Sequence, residues 1–334
     1  MSKKTLIWGG FALLPVCLVL LVTIGPADIS VRETLSVILS KMGLPFSKAA
    51  DSSHSIIWGL RLPRLLTAAL VGGGLAVCGA VLQAFFRNPM ADPYIIGISS
   101  GAALGTALSY VTGVVAIFLG MPFFSFLFAL LAVYLVYRLG AAGGSLSNNT
   151  LLLAGVAMAS FLSAVISLIM VFNVNKIPNM YIWLLGGLTG SSWKGLYIIA
   201  PLVLGGSALL FLLAPYLNAM LFGDDTAHNL GVPVKTVKKL LLVLVALIVA
   251  VCVAYCGPIG FVGLIIPHGV RFFTGPGHRR LLPASFWAGG VFLMLTDTLA
   301  RTALSPREIP VGVICALFGA PFFIFLLCRR KAGN

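Results

Sequence analysis

Ten long apolar runs, separated by short polar connections, constrain this chain more than any other feature of its sequence. Several reach the roughly 20 residues that a helix needs to cross a bilayer. A transmembrane barrel would instead show segments of about ten residues that alternate between apolar and polar, and none occurs here. We therefore predict an all-α integral membrane protein with about ten transmembrane helices; nine or eleven are the alternatives. The runs are 6–24, 65–86, 94–110, 113–137, 150–172, 195–215, 240–256, 259–273, 281–300 and 311–328.

The composition supports a membrane protein. Hydrophobic residues make up 60% of the chain and charged residues only 9%, whereas soluble domains carry roughly 25% charged residues. The formal charge of +14 does not indicate a nucleic-acid partner, because the basic residues lie in short connections and form no stripe with interleaved aromatic residues. All six cysteines lie in apolar runs without a CxxC pair, which favours buried thiols over disulfides or metal ligands.

The positions of the basic residues predict the orientation of the chain. The short inner connections carry most of them if both termini are cytoplasmic. The first run is interpreted as a span, because it is longer than a signal-peptide core and no A-x-A-like site follows it. Residues 25–64 then form one long periplasmic or extracellular segment with a short helix near VRETLSVILSKMG. Residues 1–334 form a single transmembrane domain, in which the short run 259–273 could be re-entrant or partly shielded by protein.

Small residues recur within the apolar runs. Gly97, Gly101 and Gly105 are spaced by four, so they share one helix face, where glycine lets two backbones approach closely. The segment VGGGLAVCGA at 71–80 has the same character. Tight helix packing is favoured over a role in substrate binding.

Two arginines mark the outer end of the second run. Arg61 and Arg64 flank Pro63, and because proline is tolerated in a first helical turn, the helix is predicted to start here. Residues three apart share a face, so both guanidinium groups can point toward one outer partner, whose carboxylates would suit their planar shape. The alternative is that both side chains extend to lipid headgroups.

The inner end of the same run carries the sequence RNPMADP. Its two prolines are four apart, with Asn88 before the first and Asp92 before the second, and residues before proline disfavour helix. A tight inner turn is predicted. The turn could be a plain connector or could also close a pathway.

The most concentrated polar passage is LFGDDTAHNLGVPVKTVKK, residues 221–239, on the inner side. Asp224 or Asp225 can cap a short helix that Gly231 would end, and a second short amphipathic segment is expected after it. A metal site is disfavoured, because Asp224, Asp225 and His228 have no further His or Cys nearby. The passage is either a solvated loop or a docking surface for a cytoplasmic protein.

The chain shows no energy source of its own. It has no GxxxxGK[ST] loop, no HExxH and no obvious Ser/His/Asp set, so it is not predicted to be an enzyme. An ion-coupled secondary transporter usually places acids at mid-membrane depth. The clearest embedded acid is Asp297, and a local ion pair with Arg301, one turn later, explains it. The work would therefore come from a partner protein.

Six segments, taken in order, resemble the FecCD permease family, the transmembrane subunits of type II ATP-binding-cassette importers for iron-siderophores, haem and cobalamin. Together they cover most of the chain, and the set is far more specific than any single motif. The segments are RLPRLL (61–66), GAVLQAFFRNPMADPYIIGISSGAALG (79–105), GDDTAHNLGV (223–232), GPIGFVGLIIPHGVRFFTGPGHRRLLPAS (257–285), LTDTLAR (295–301) and EIPVGVICALFGAPFFIFLL (308–327).

The resemblance implies a homodimer of ten-helix subunits in a bacterial or archaeal cytoplasmic (inner) membrane. Two ATPase subunits would bind on the cytoplasmic face and a soluble substrate-binding protein outside. The chain itself would bind no cofactor, since ATP and Mg²⁺ are used by the partner subunit. A pathway with few fixed charges fits a bulky metal chelate better than a naked ion. An oxyanion such as molybdate, or ion-coupled transport, is the alternative.

The resemblance also implies roles for individual residues. The arginines that dock the binding protein would be Arg61, Arg64 and Arg301. The cytoplasmic gate would include Asn88 and Met90, together with Leu146 and Ser147 in the loop 144–149. The coupling helices, within 216–239, would contact the ATPase through Gly223, Asp224, Asp225, Thr226, Ala227, His228, Asn229, Leu230 and Gly231.

Overall fold

The computed structural model describes residues 3–27, 29–41, 51–116, 120–141 and 147–331. Over these residues the chain is helical, with short turns and no strand, so the predicted all-α fold is confirmed. In chain order the helices are α1 Lys3–Thr23, α2 Val31–Lys41, α3 Asp51–His54, α4 Leu62–Phe85, α5 Ile98–Thr112, α6 Gly120–Gly140, α7 Asn148–Phe172, α8 Ile177–Leu184, α9 Trp193–Leu212, α10 Ala214–Met220, α11 Asp224–Asn229, α12 Val234–Cys256, α13 Val262–Thr274, α14 His278–Thr302 and α15 Val311–Lys331.

Each of the ten apolar runs overlaps one of the longer helices of the described chain. Five helical segments of the described chain are long and apolar enough to cross a membrane: Asp51–Phe85, Gly120–Gly140, Asn148–Phe172, Trp193–Leu212 and Val234–Cys256. In contrast, α5 has 15 residues and α13 has 13. At about 1.5 Å per residue they are roughly 22 and 20 Å long, less than the roughly 30 Å of a hydrocarbon core. Ten spans with cytoplasmic termini therefore stays a prediction.

The helical chain that includes α4 begins earlier than predicted. It starts at Asp51 and runs through a π turn, Ser55–Arg61, into α4, whose second residue is Pro63. Proline has no N–H to donate, and the wider π turn adjusts the backbone hydrogen bonds just before it. Position 61 is therefore inside a helix, and the prediction that the helix starts there was wrong. The expected short outer helix is α2.

Buried α4 lies at the centre of the fold and packs against α9, α12, α13 and α14. Its closest neighbour is α14. A methyl group in place of the Gly72 hydrogen would lie 2.2 Å from the Gly289 carbonyl oxygen, and one on Gly289 would lie 2.3 Å from the Gly72 oxygen. Because only glycine permits such contact, the packing role predicted for 71–80 is confirmed.

The glycines of α5 divide into two groups. A methyl group on Gly101 or Gly105 would lie 2.5 or 2.3 Å from a carbonyl oxygen of α6, so both serve helix packing as predicted. Gly97 instead precedes α5 with a φ of +79° and ends the 3₁₀ turn Pro93–Ile96. Its position therefore requires glycine for backbone conformation.

The cysteines are free thiols. Those at 78, 252, 256 and 315 are buried, as predicted, and Cys17 is partly buried. Cys328 is exposed, so for this residue the prediction was wrong.

Candidate functional site

A cluster of charged residues lies at the predicted outer end of α4 and α14. Asp297 is fully buried and accepts hydrogen bonds from Arg64 Nε at 3.0 Å and Arg64 Nη2 at 2.9 Å. Arg64 Nη1 donates to Glu308, with its closer oxygen at 2.9 Å. Arg301 Nε lies 4.0 Å from Asp297. The predicted local ion pair therefore exists, but the main partner of Asp297 is Arg64, from another helix.

The other two predicted docking arginines hold the end of α1. Arg61 and Arg301 are 5% and 3% exposed. Arg301 Nη2 donates to the Leu21 carbonyl oxygen at 2.9 Å. Arg61 donates to the carbonyl oxygens of Val22 at 3.0 Å, Thr23 at 3.0 Å and Ala27 at 2.6 Å. Cations are favourable at a helix C-terminus, where carbonyl groups lack helical partners. The guanidinium groups of Arg61 and Arg64 thus contact different parts of the protein, unlike the predicted shared face.

All three arginines nevertheless line one cavity of about 340 Å³, together with Glu308. A second cavity of about 310 Å³ is also lined by Arg64 and Glu308, and by the loop 186–190. The ion pair between these two side chains therefore borders both cavities. Three guanidinium groups face two carboxylates in this cluster, so its formal charge is +1 and it favours an anionic group. Docking of a binding protein by Arg61, Arg64 and Arg301 stays a prediction.

The predicted inner turn is present between α4 and α5. Asn88 Oδ1 accepts a hydrogen bond from Met90 N at 2.9 Å, and Asp92 Oδ1 accepts one from Tyr94 N at 2.9 Å. Side chains that bond the backbone two residues on are typical of tight turns. Burial raises the pKa of the Asp92 carboxyl to about 6, and its hydrogen bond from Tyr94 N opposes that rise.

The gate residues are only partly described. Asn88 is exposed and Met90 half-buried, and exposed Ser147 precedes α7 without a capping hydrogen bond from its side chain. Leu146 lies outside the described residues. A gating role for this set stays a prediction.

Tyr94 connects this turn to a second interrupted region. Its hydroxyl accepts a hydrogen bond from Ile259 N at 3.0 Å and donates one to Ile259 O at 3.1 Å. Ile259 lies in the loop between α12 and α13, so the loops that precede the two short helices α5 and α13 meet here. Short helices and irregular backbone at membrane depth are typical of transport pathways. Tyr94 carries no signal of this contact in the sequence, because its partner is 165 residues away.

The inner polar passage forms the short helix α11, as predicted in outline. Gly231, with a φ of +84°, follows it and ends it. The residue before the helix is Gly223, and no side chain caps it, so the predicted cap by Asp224 or Asp225 was wrong. The predicted second short segment was also wrong: α12 runs unbroken from Val234 to Cys256, a stretch without glycine or proline.

Two further polar residues have structural contacts that were not predicted from the sequence. Glu308 lies within the segment EIPVG, and its signal was available, since the chain has only 8 acidic residues. Asn218, in α10, holds the start of α14: its Oδ1 accepts from His278 N at 2.9 Å and lies 2.8 Å from His278 Nδ1. Nothing in the sequence near Asn218 or His278 indicated the contact between these two residues, which are 60 residues apart.

The profile of the FecCD transport family matches residues 13–329. The chain belongs to this family. It is 40% identical to the cobalamin import system permease protein BtuC of Halobacterium salinarum, over 99% of this chain and 98% of that protein. It is 38% identical to the hemin transport system permease protein HmuU of Yersinia pestis, over 84% of this chain and 85% of that protein.

A solved structure shows the same fold. It is described as an inward-facing conformation of a metal-chelate type ABC transporter, and it is 33% identical to this chain. The TM-score is 0.85, with 98% of this chain and 99% of that chain covered. The fold is that of an ABC transporter permease, a membrane component of transport rather than a catalyst, and relatives occur in bacteria and archaea.

Proposed function

We propose that this chain is the transmembrane subunit of a homodimeric ATP-binding-cassette importer that passes a bulky metal chelate into the cytoplasm by ATP-driven alternating access. The observation that carries the proposal is the match, over more than four fifths of the chain, to permeases whose names specify cobalamin, hemin and Fe(3+) dicitrate. In each of these cargoes organic ligands surround a metal. A chain with only 9% charged residues can offer few fixed charges along a pathway, which suits such cargoes. A naked ion would instead require charged side chains or carbonyl groups to replace its hydration shell.

The ATPase partner is proposed to bind α11 and its flanks. Phe222 and Leu230 flank this helix and are 76% and 67% exposed. Ala227, within the helix, is buried. Exposed apolar side chains beside a polar helix are typical of a protein–protein contact. The segment 216–239 would then transmit the motion of the ATPase to the membrane helices.

The test of this function is uptake by proteoliposomes that contain the chain, its ATPase subunit and its binding protein. Separate assays use cyanocobalamin, haemin, ferrichrome and molybdate. We expect ATP-dependent accumulation of one of the three chelates and none of molybdate. Accumulation driven by an ion gradient without the ATPase would contradict the proposal in favour of a secondary transporter, and molybdate uptake alone would overturn the cargo class.

Outside, the binding protein is proposed to reach the arginine cluster through Arg64. Glu308, with a side chain 34% exposed, already occupies Arg64 Nη1 and competes with any incoming carboxylate. We expect Glu308→Gln to tighten association with the binding protein by up to about fivefold, the size of one exposed ion pair. The difference should shrink as salt rises. Affinity is measured by surface binding at low and high salt.

The matched control for this prediction is Asp51→Asn, which removes from the outer segment 25–64 one exposed acid that lines neither of the two cavities. It corrects for a general change in surface charge. Equal affinities of the two variants, or weaker binding by Glu308→Gln, would contradict the competition between Glu308 and the partner.

A further inference from the structure

A buried lysine joins α11 to two membrane helices on the predicted cytoplasmic side. The side chain of Lys238, in the first turns of α12, is only 3% exposed. Its ammonium group donates to Asp224 Oδ2 in α11 and, at 3.1 Å, to Asn148 Oδ1 at the start of α7. It also lies 5.4 Å from the centroid of the Phe85 ring. A buried charge needs such partners. Lys238 of α12 therefore connects α12 with α11 and with α7.

The path continues from Asn148 to the end of α4. Asn148 Nδ2 donates to the Phe85 carbonyl oxygen at 3.0 Å. Phe85 is the last residue of α4, and the turn 87–97 begins two residues later. Three hydrogen bonds, from Lys238 to Asp224, from Lys238 to Asn148 and from Asn148 to Phe85, therefore connect α11 with the start of this turn.

Close packing between Gly223 and Arg87 also brings α11 near the turn 87–97. A methyl group in place of the Gly223 hydrogen would lie 3.5 Å from Arg87 Nη1. Gly223 directly precedes α11, and Arg87, with a φ of +50°, opens the turn. The start of α11 and the start of the turn are thus close in space, although more than 130 residues separate them in sequence.

We infer that Lys238 is a positioning residue that couples displacement of α11 to the turn 87–97. The inference rests on the proposed function, in which a partner protein moves α11. Hydrogen bonds between ionised groups are stronger than neutral ones, so movement of Asp224 either carries Lys238 with it or breaks this bond. Either event alters the support that Asn148 gives to the end of α4. Lys239, the next residue, is exposed and takes no part.

Hydrogen–deuterium exchange of the purified full chain tests this coupling without ATPase or nucleotide. The measured quantity is the exchange rate of three backbone amides that donate hydrogen bonds to acceptors inside the turn. These are the amides of Met90, Tyr94 and Gly97. We expect Asp224→Asn to speed their exchange by about fivefold, the size expected from weakening one charge-assisted hydrogen bond. The matched control is Asp225→Asn, which removes the neighbouring exposed acid and should leave exchange in the turn unchanged.

Lys238→Met gives the decisive comparison. Alone it should speed exchange in the turn, whereas Lys239→Met should not. In the Lys238→Met background, Asp224→Asn should have no further effect, because the connection is already broken. Should Lys238→Met fold poorly, Asn148→Ala interrupts the path at its next bond and carries the same expectation. Unfolding temperatures of all variants show whether a change is local.

Two results would overturn the inference. One is exchange in the turn that is the same in Asp224→Asn as in wild type. The other is an effect of Asp224→Asn that persists in full after Lys238 is replaced. Because the exchange assay involves no transport, its failure is distinct from failure of the proposed function, which the uptake assay tests separately.

Discussion

Replacement of Arg64 by methionine is expected to lower the free energy of unfolding of this subunit by about 3–5 kcal/mol. The reason is that Asp297, the partner of Arg64, would keep its charge in the protein interior. Asp297 is fully buried, and without Arg64 its nearest cation is Arg301, at 4.0 Å. Removal of one member of a buried ion pair leaves an uncompensated charge, which is far more costly than the loss of an exposed pair. Glu308 also loses its partner, but it is partly exposed and water can replace that contact.

Thermal unfolding in detergent, followed with a thiol-reactive dye, measures this effect, because four cysteines are buried and react only on unfolding. Arg307→Met is the matched control, since Arg307 is an exposed arginine in the loop between α14 and α15 that also carries Glu308. This variant should change stability by less than about 0.5 kcal/mol. Asp297→Asn in the Arg64→Met background should recover at least about 2 kcal/mol by removing the buried charge. Wild-type stability of Arg64→Met, or no recovery in the double variant, would contradict this account.

Replacement of residues 225–229 by a Gly-Ser sequence is expected to separate ATP hydrolysis from transport. Glycine costs about 1 kcal/mol per helical residue, so the short helix α11 would not persist. A flexible segment cannot transmit displacement to α12 and the inner turn. We expect transport to fall roughly tenfold or more, within the range of typical coupling energies, while the partner ATPase stays active. ATP hydrolysis and uptake are measured in the same proteoliposomes.

A matched variant replaces Asp225, Thr226, His228 and Asn229 by alanine, the best helix former, and so removes the side chains but keeps the helix. If rigidity matters, this variant transports far better than the Gly-Ser variant. If the side chains matter, both fail equally. Full ATP-driven transport by the Gly-Ser variant would end the proposal that α11 transmits the motion of the ATPase.

Local features were predictable because each depends on residues near one another in sequence. The apolar runs predicted the long helices, because a backbone in hydrocarbon must satisfy its own hydrogen bonds. The prolines of RNPMADP predicted the inner turn, and Gly231 predicted the end of α11. The errors in local structure arose where two local rules competed: Pro63 suggested a helix start, but the chain passed it through a π turn.

Contacts between distant segments were decided by the tertiary structure alone. The sequence suggested Arg301 as the partner of Asp297, since it lies four residues away, yet packing of α4 against α14 brings Arg64 closer. Lys238 and Asn148 had no signal at all, because their 90-residue separation hides the bond that joins them. Hydropathy and turn chemistry determine where helices begin and end. Which charged side chains meet depends on how those helices pack, because in a protein with so few charges each buried one must find its partner wherever the fold places it.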